Sequence, residues 1–177
     1  MSEAPERVRV FVALWPDAAT ADALAALTEL AAPPSARRMR PDTLHMTLAF
    51  VGDIETARLP GVLSAGDAVA WPAFDMTVDR LALWSHNHIL WAGLAHVPDA
   101  LVDLSSALGH ALNARGIALP DRPFMPHVTL ARKADSLSGS GAIEPIDWHV
   151  DRGVLVRSMR TASGACYRVL KQWGSAG

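Results

Sequence analysis

Two short segments hold the residues best suited to chemistry: His45-Met46-Thr47-Leu48 and His127-Val128-Thr129-Leu130. Imidazole titrates near neutrality. One neutral ring can take a proton from water while one charged ring gives a proton to a departing alkoxide. Residues i and i+2 of a strand share a face. His45 and Thr47 then point together, as do His127 and Thr129. Leu44, Met46, Leu48 and Phe50 turn the other way, as do Val128 and Leu130. Two imidazoles with two hydroxyls fit hydrolysis of a phosphodiester, the hydroxyls donating to the non-bridging oxygens. Each acid or base of this kind contributes about 10²–10⁴ in rate. Such a pair gives a bell-shaped pH profile with its optimum near neutrality. No metal is expected, since there is no His-Glu-x-x-His and carboxylates do not cluster in sequence around either histidine.

One His-x-Thr in a strand is common and usually structural. The second copy changes its weight because it belongs to a repeat. Pro16-Asp17-Ala18 and Pro98-Asp99-Ala100 each follow a strand-like run and open a helix, and 29 residues separate each proline from its histidine. Order, spacing and tetrapeptide agree. The repeat predicts an α+β fold of two lobes related by a pseudo-two-fold, each an antiparallel sheet with helices packed outside. The two His-x-Thr strands meet at a central cleft. The whole chain, 1–177, reads as one such bilobal domain.

The positioning elements are legible locally. Residues 7–15 alternate polar and apolar as a strand does. Asp17 caps a helix whose stripe is Leu24, Leu27 and Leu30, and Pro33-Pro34 stops it. Residues 44–51 read as a strand ended by Gly52-Asp53, and residues 55–69 as a helix with Pro60 in its first turn. Strands over 74–84 and 88–95 form a hairpin through Ser85-His86-Asn87. The next helix buries Leu101, Leu104, Leu108 and Leu112 and stops at Gly116. Residues 127–131 form a strand, 135–142 a mobile serine- and glycine-rich loop, and 146–157 and 165–171 the closing strands. Trp15 and Trp91 flank equivalent strands and are candidates for core packing or for stacking on a base.

Half of the 177 residues are hydrophobic, which suits a packed core, and the net charge of −2 excludes bulk attraction to a polyanion. Positive charge is local. Arg37, Arg38 and Arg40 stand against Asp42, and Arg122, Arg132 and Lys133 against Asp121, each window carrying +2. Two basic patches suit an anionic ligand in a cleft. The single cysteine, Cys166, allows neither an internal disulfide nor a thiolate cage. No apolar run is long enough to span a membrane, and the acidic Met1–Glu6 segment is neither a signal nor a transit peptide. A cytoplasmic monomer without cofactor is the expectation.

Three stretches resemble the two-histidine phosphoesterase superfamily, and within it the bacterial and archaeal RNA 2′,3′-cyclic phosphodiesterases, also called 2′-5′ RNA ligases. They are Arg9-Val10-Phe11-Val12-Ala13-Leu14, Leu44 through Gly52, and Arg122-Pro123-Phe124-Met125-Pro126-His127-Val128-Thr129-Leu130-Ala131-Arg132. The resemblance spans nearly the whole chain. It implies hydrolysis of an RNA-terminal 2′,3′-cyclic phosphate to a 2′-phosphomonoester, with an RNA 3′-terminus or a cyclic-phosphate nucleotide as partner. By that resemblance His45 is the proton donor and His127 the acceptor. Spacing alone leaves the two roles open. Thr47 and Thr129 complete the catalytic set, and Arg132, Arg122, Arg40 and Phe11 are the candidate substrate-binding residues. Two alternatives stand beside this reading: a phosphate- or nucleotide-binding module without turnover, and the same chemistry on 2′-5′ linkages or small cyclic nucleotides.

Overall fold

The computed structural model describes residues 5–139 and 141–175; Met1–Ala4 of the acidic segment and Ser140 of the serine- and glycine-rich loop lie outside them. In chain order the elements are β1 (Arg7–Leu14), α1 (Ala18–Ala31), β2 (Arg37–Arg38), β3 (Met46–Glu55), α2 (Leu59–Asp67), β4 (Phe74–Trp84), β5 (Ile89–Gly93), α3 (Asp99–Asn113), β6 (His127–Arg132), β7 (Ala142–Val150), β8 (Arg152–Thr161) and β9 (Gly164–Gly174). Among the described residues the nine strands form one antiparallel sheet in the order β7-β4-β5-β6-β3-β1-β8-β9, with β2 beside β6.

The sheet has two halves and a narrow seam. β1 and β3 pair over most of their length, as do β5 and β6, but β3 meets β6 only where Met46 faces Val128. Six strand spacings separate β7 from β8, about 29 Å across a flat sheet. Only Asp151 joins them, and one residue spans about 7 Å. The sheet therefore has to bend sharply, and it is least braced at the seam. The sheet thus divides at the seam into a β7-β4-β5-β6 half and a β3-β1-β8-β9 half. α1 crosses onto β6 and β7, while α3 lies against β3 and α2. Each repeat's helix thus braces the other repeat's strands.

The two sheet faces have different contents. Val8, Val10, Val12 and Leu14 of β1 join Met46, Val128, Leu24 and the four α3 leucines in the main core. Phe11, Ala13, Val154 and Val156 form a small separate cluster on the other face, with Trp15, Phe50 and Tyr167 against it and no helix residue in it.

Several expectations need correction. The buried stripe of α1 is Thr20, Leu24, Thr28 and Ala31, and Leu30 is 78% exposed. The Thr28 hydroxyl bonds the Leu24 carbonyl at 2.8 Å, so a threonine fills the place the leucine pattern claimed. β3 starts two residues later than the apolar run and continues through Gly52, whose φ of +80° suits a glycine inside a bulged ladder. Residues 146–157 are not one strand, because they divide at Asp151 between opposite ends of the sheet.

A tryptophan pair secures the bend. Trp71 and Trp173 stack at 5.1 Å, their indole nitrogens donating to the Gly66 carbonyl (2.9 Å) and to Asp67 (2.7 Å). Gly153 lies under the Trp71 ring and Gly66 under the Trp173 ring, where a Cβ would collide with either indole. Gly153→Ala is expected to destabilise the protein by about 1–3 kcal/mol, the usual cost of overpacking. A lowered denaturation midpoint at unchanged slope checks this.

Candidate active site

Both histidines stand at the seam, one on each side of the Met46–Val128 bridge. In the antiparallel register around that bridge His45 lies across from Thr129, and Thr47 from His127. Each Nδ1 is held by the carbonyl two residues earlier: His45 by Thr43 at 2.7 Å and His127 by Met125 at 2.8 Å. A carbonyl only accepts, so each Nδ1 carries its proton and donates it. In the neutral ring Nε2 is then the bare nitrogen. Each imidazole is set to take a proton at Nε2 or, once charged, to give one from there.

A bulge recurs in both copies. Ala13 pairs with Thr47 and Val12 with Ala49, which leaves Leu48 unpaired in β3. Trp91 pairs with Thr129 and Leu90 with Ala131, which leaves Leu130 unpaired in β6. The fourth residue of each His-x-Thr-Leu is thus the extra residue. Leu48 with Ala49, and Leu130 with Ala131, all face the core, so the next residue turns back to the histidine face. In the first copy that residue is Phe50, which lies in the small cluster with Phe11 and not in the core as simple alternation predicts. In the second it is Arg132. Five residues after His127, it would face away in an unbroken strand; the bulge turns it toward the site.

The rings around each histidine differ. Phe11 (4.8 Å) and Trp15 (5.3 Å) both stack on His45, and Tyr167 meets it edge-on at 5.5 Å. Trp84 (4.7 Å) and Trp91 (6.2 Å) approach His127 edge-on. Burial, opposed by the Thr43 carbonyl and reinforced by His127 and Arg132, pushes His45 down to about 4. Burial also pushes His127 below its usual value, against the Met125 carbonyl, with Arg122 and Arg132 adding to the shift. Both shifts favour the neutral ring.

The other candidates divide. Arg132 and Arg122 act electrostatically on His127, and Arg132 on His45 as well. Arg40 is turned onto Asp42 at 3.2 Å, and no hydrogen bond or ion pair among the described residues joins it to either histidine. Both groups of this pair are exposed. Phe11 is 4% exposed and spends its face on His45. It positions the imidazole and offers no surface to a substrate. Arg38 reaches the Ala32 carbonyl and Glu29, away from the cleft. Sequence reasoning missed Tyr167 and Trp84; Arg37, already named in the first basic window, pairs across from Arg132 in the β2–β6 ladder. Tyr167 arrives on the last strand through β8, and only the pairing order shows it.

Known proteins match this arrangement. Residues 14–91 fit the model of the LigT-like phosphoesterases. An RNA 2′,3′-cyclic phosphodiesterase of Escherichia coli is 29% identical over 145 residues, covering 80% of this chain and 81% of that protein. Its counterpart in Thermus thermophilus is 28% identical over 77% of this chain and 74% of its own. The chain is similar to the LigT-like phosphoesterases in sequence and in fold. The crystal structure of E. coli LigT complexed with 3′-AMP superposes with a TM-score of 0.83 at 28% identity, over 97% of this chain and all of that one. The apo form gives 0.82 over 96% and 98%.

The depressed histidine has a consequence for stability. A folded-state value below the unfolded one means that the unfolded chain binds the proton first. The His45 contribution is complete above about pH 6.5 and is lost as pH falls toward 4. Stability is expected to drop across that window in the parent protein and to drop less in His45→Gln. Urea midpoints at a series of pH values measure both.

Proposed function

We propose that this chain is a metal-independent phosphodiesterase that opens RNA-terminal 2′,3′-cyclic phosphates. The observation that carries the reading is the matched pair of imidazoles. Both are pinned at Nδ1 by the carbonyl two residues back, and each faces the other copy's threonine across the seam. The relatives named RNA 2′,3′-cyclic phosphodiesterase, and the LigT structure holding 3′-AMP, support the substrate class.

In this reading His127 Nε2 takes a proton from water as its oxygen attacks phosphorus. The P–O3′ bond breaks, and O3′ takes the proton from His45 Nε2. The product keeps phosphate on the 2′ oxygen. Thr47 and Thr129 donate to the non-bridging oxygens, and Arg132 and Arg122 offset the developing charge. Burial lowers both imidazoles, His45 to about 4, which makes each a stronger acid once it is charged. An anionic phosphodiester between the rings favours the imidazolium. Acid, base and charge stabilisation all come from side chains, so no step calls for a metal.

Purified protein is expected to convert an RNA ending in 2′,3′-cyclic phosphate to the 2′-phosphomonoester with chelator present. Absence of turnover at every pH contradicts the proposal. His45→Ala and His127→Ala should each lower kcat by about 10²–10⁴ with the fold intact. Thr47→Val and Thr129→Val should each lower it by about 10–10³.

The pH profile is a separate test. Burial of both rings moves the bell for kcat/KM to the acid side of neutrality, away from the optimum that unperturbed histidines imply. The kcat profile should lie at higher pH than that for kcat/KM, because bound phosphate raises both histidines. Coincident profiles, or a rate that climbs steadily into alkaline pH, contradict the pair.

A further inference from the structure

We infer that the groove between β1 and β8, lined by Arg7, Arg9, Arg157 and Arg160, binds backbone phosphates of the RNA strand leading into the reacting terminus. The inference rests on the proposed function and deepens it: the preferred substrate is an oligonucleotide and not a small cyclic nucleotide.

The groove encloses about 460 Å³. Its four arginines face one carboxylate, Asp53, in a chain whose net charge is −2. Arg9 pairs with Asp53 at 2.7 Å, and Arg7 donates to the Asp53 carbonyl. No ion pair among the described residues uses Arg157 or Arg160. Surface arginines of a slightly acidic protein normally find carboxylates nearby, so this is a concentrated and largely uncompensated positive field.

The groove is continuous with the histidine site. The β1–β8 register is unbroken from Arg9 to Leu14, so Arg7, Arg9 and Phe11 share one face of β1, with Ser158 and Arg160 of β8 on that face, while Arg157 pairs with Val10 and lines the groove from the opposite face. Phe11 lies on His45, and the Arg9 guanidinium sits 5.0 Å above the Phe50 ring. Tyr167 pairs across from Ser158, which lines the groove. Arg7 lies about 14 Å along the strand from Phe11, beyond reach of a phosphate held between the histidines. Cations in line with aromatic rings are what a single strand needs, with charge along its backbone and faces for its bases. A mononucleotide would occupy the histidine end alone.

The test compares a nucleoside 2′,3′-cyclic phosphate with a ten-nucleotide RNA ending in the same group. The triple variant Arg7→Gln/Arg157→Gln/Arg160→Gln should lower kcat/KM on the RNA at least tenfold, mainly through KM. Its kcat/KM on the nucleoside should change less than twofold, which also shows that the variant is folded. Arg→Lys at the same three positions should restore most of the RNA rate. An unchanged RNA rate, or equal falls on both substrates, overturns the inference. If the parent turns over neither substrate, the proposed function fails and binding still decides the groove. Anisotropy with an unmodified RNA decamer should then give a log K against log salt slope shallower by about 2 in the triple variant, at about 0.7 per phosphate. Equal slopes and affinities would overturn it.

Discussion

One antiparallel bridge, Met46 opposite Val128, joins two halves of a sheet that are otherwise paired only within themselves. Everything proposed for the site depends on it. Long ladders on both sides would hold the sheet straight. A single bridge lets it bend, and the one-residue link at Asp151 forces the bend by drawing distant strands together. The crossed helices then fix the angle, because α1 packs on the second half and α3 on the first. The imidazoles sit beside the bridge, where β3 and β6 pair with each other once while each runs on in the ladder of its own half.

The tetrapeptide also gains a physical meaning in this setting. Histidine and threonine supply the polar face, and the residue between them anchors the core at the bridge itself. Leucine is the unpaired residue of a bulge, buried in the core while the ladder slips past it. The slip decides which side chain next reaches the cleft face, and there the two copies part. Phe50 extends an aromatic wall that holds His45, and Arg132 brings charge to both rings. A shared backbone device thus carries an asymmetric pair of environments, as an acid and a base require.

The elements governed by local pattern were legible in the sequence. The Asp17 cap, the four buried leucines of α3, the left-handed Gly116 and the β4–β5 hairpin all stand where their residue patterns place them. Both His-x-Thr pairs share a face as alternation predicts. Features created by long-range pairing were not legible. Alternation assigns Phe50 to the core because a one-residue slip leaves no mark in residue type. Phe11 is read as a binding residue until its stacking partner is known. Arg40 and Asp42 stand in one basic window of the sequence, and only the structure shows the guanidinium turned onto that carboxylate. The arginine groove unites positions 7 and 9 with 157 and 160, and only the β1–β8 pairing brings them together.

The central claim is that the two copies form one catalytic unit across the bridge, not two sites of partial competence. A double-mutant cycle on turnover of an RNA-terminal 2′,3′-cyclic phosphate tests this most directly. If His45 and His127 transfer protons in one concerted step, His45→Ala/His127→Ala should lose little more kcat than the worse single variant. Single losses that multiply in the folded double variant would show that the histidines act independently, and would contradict the account.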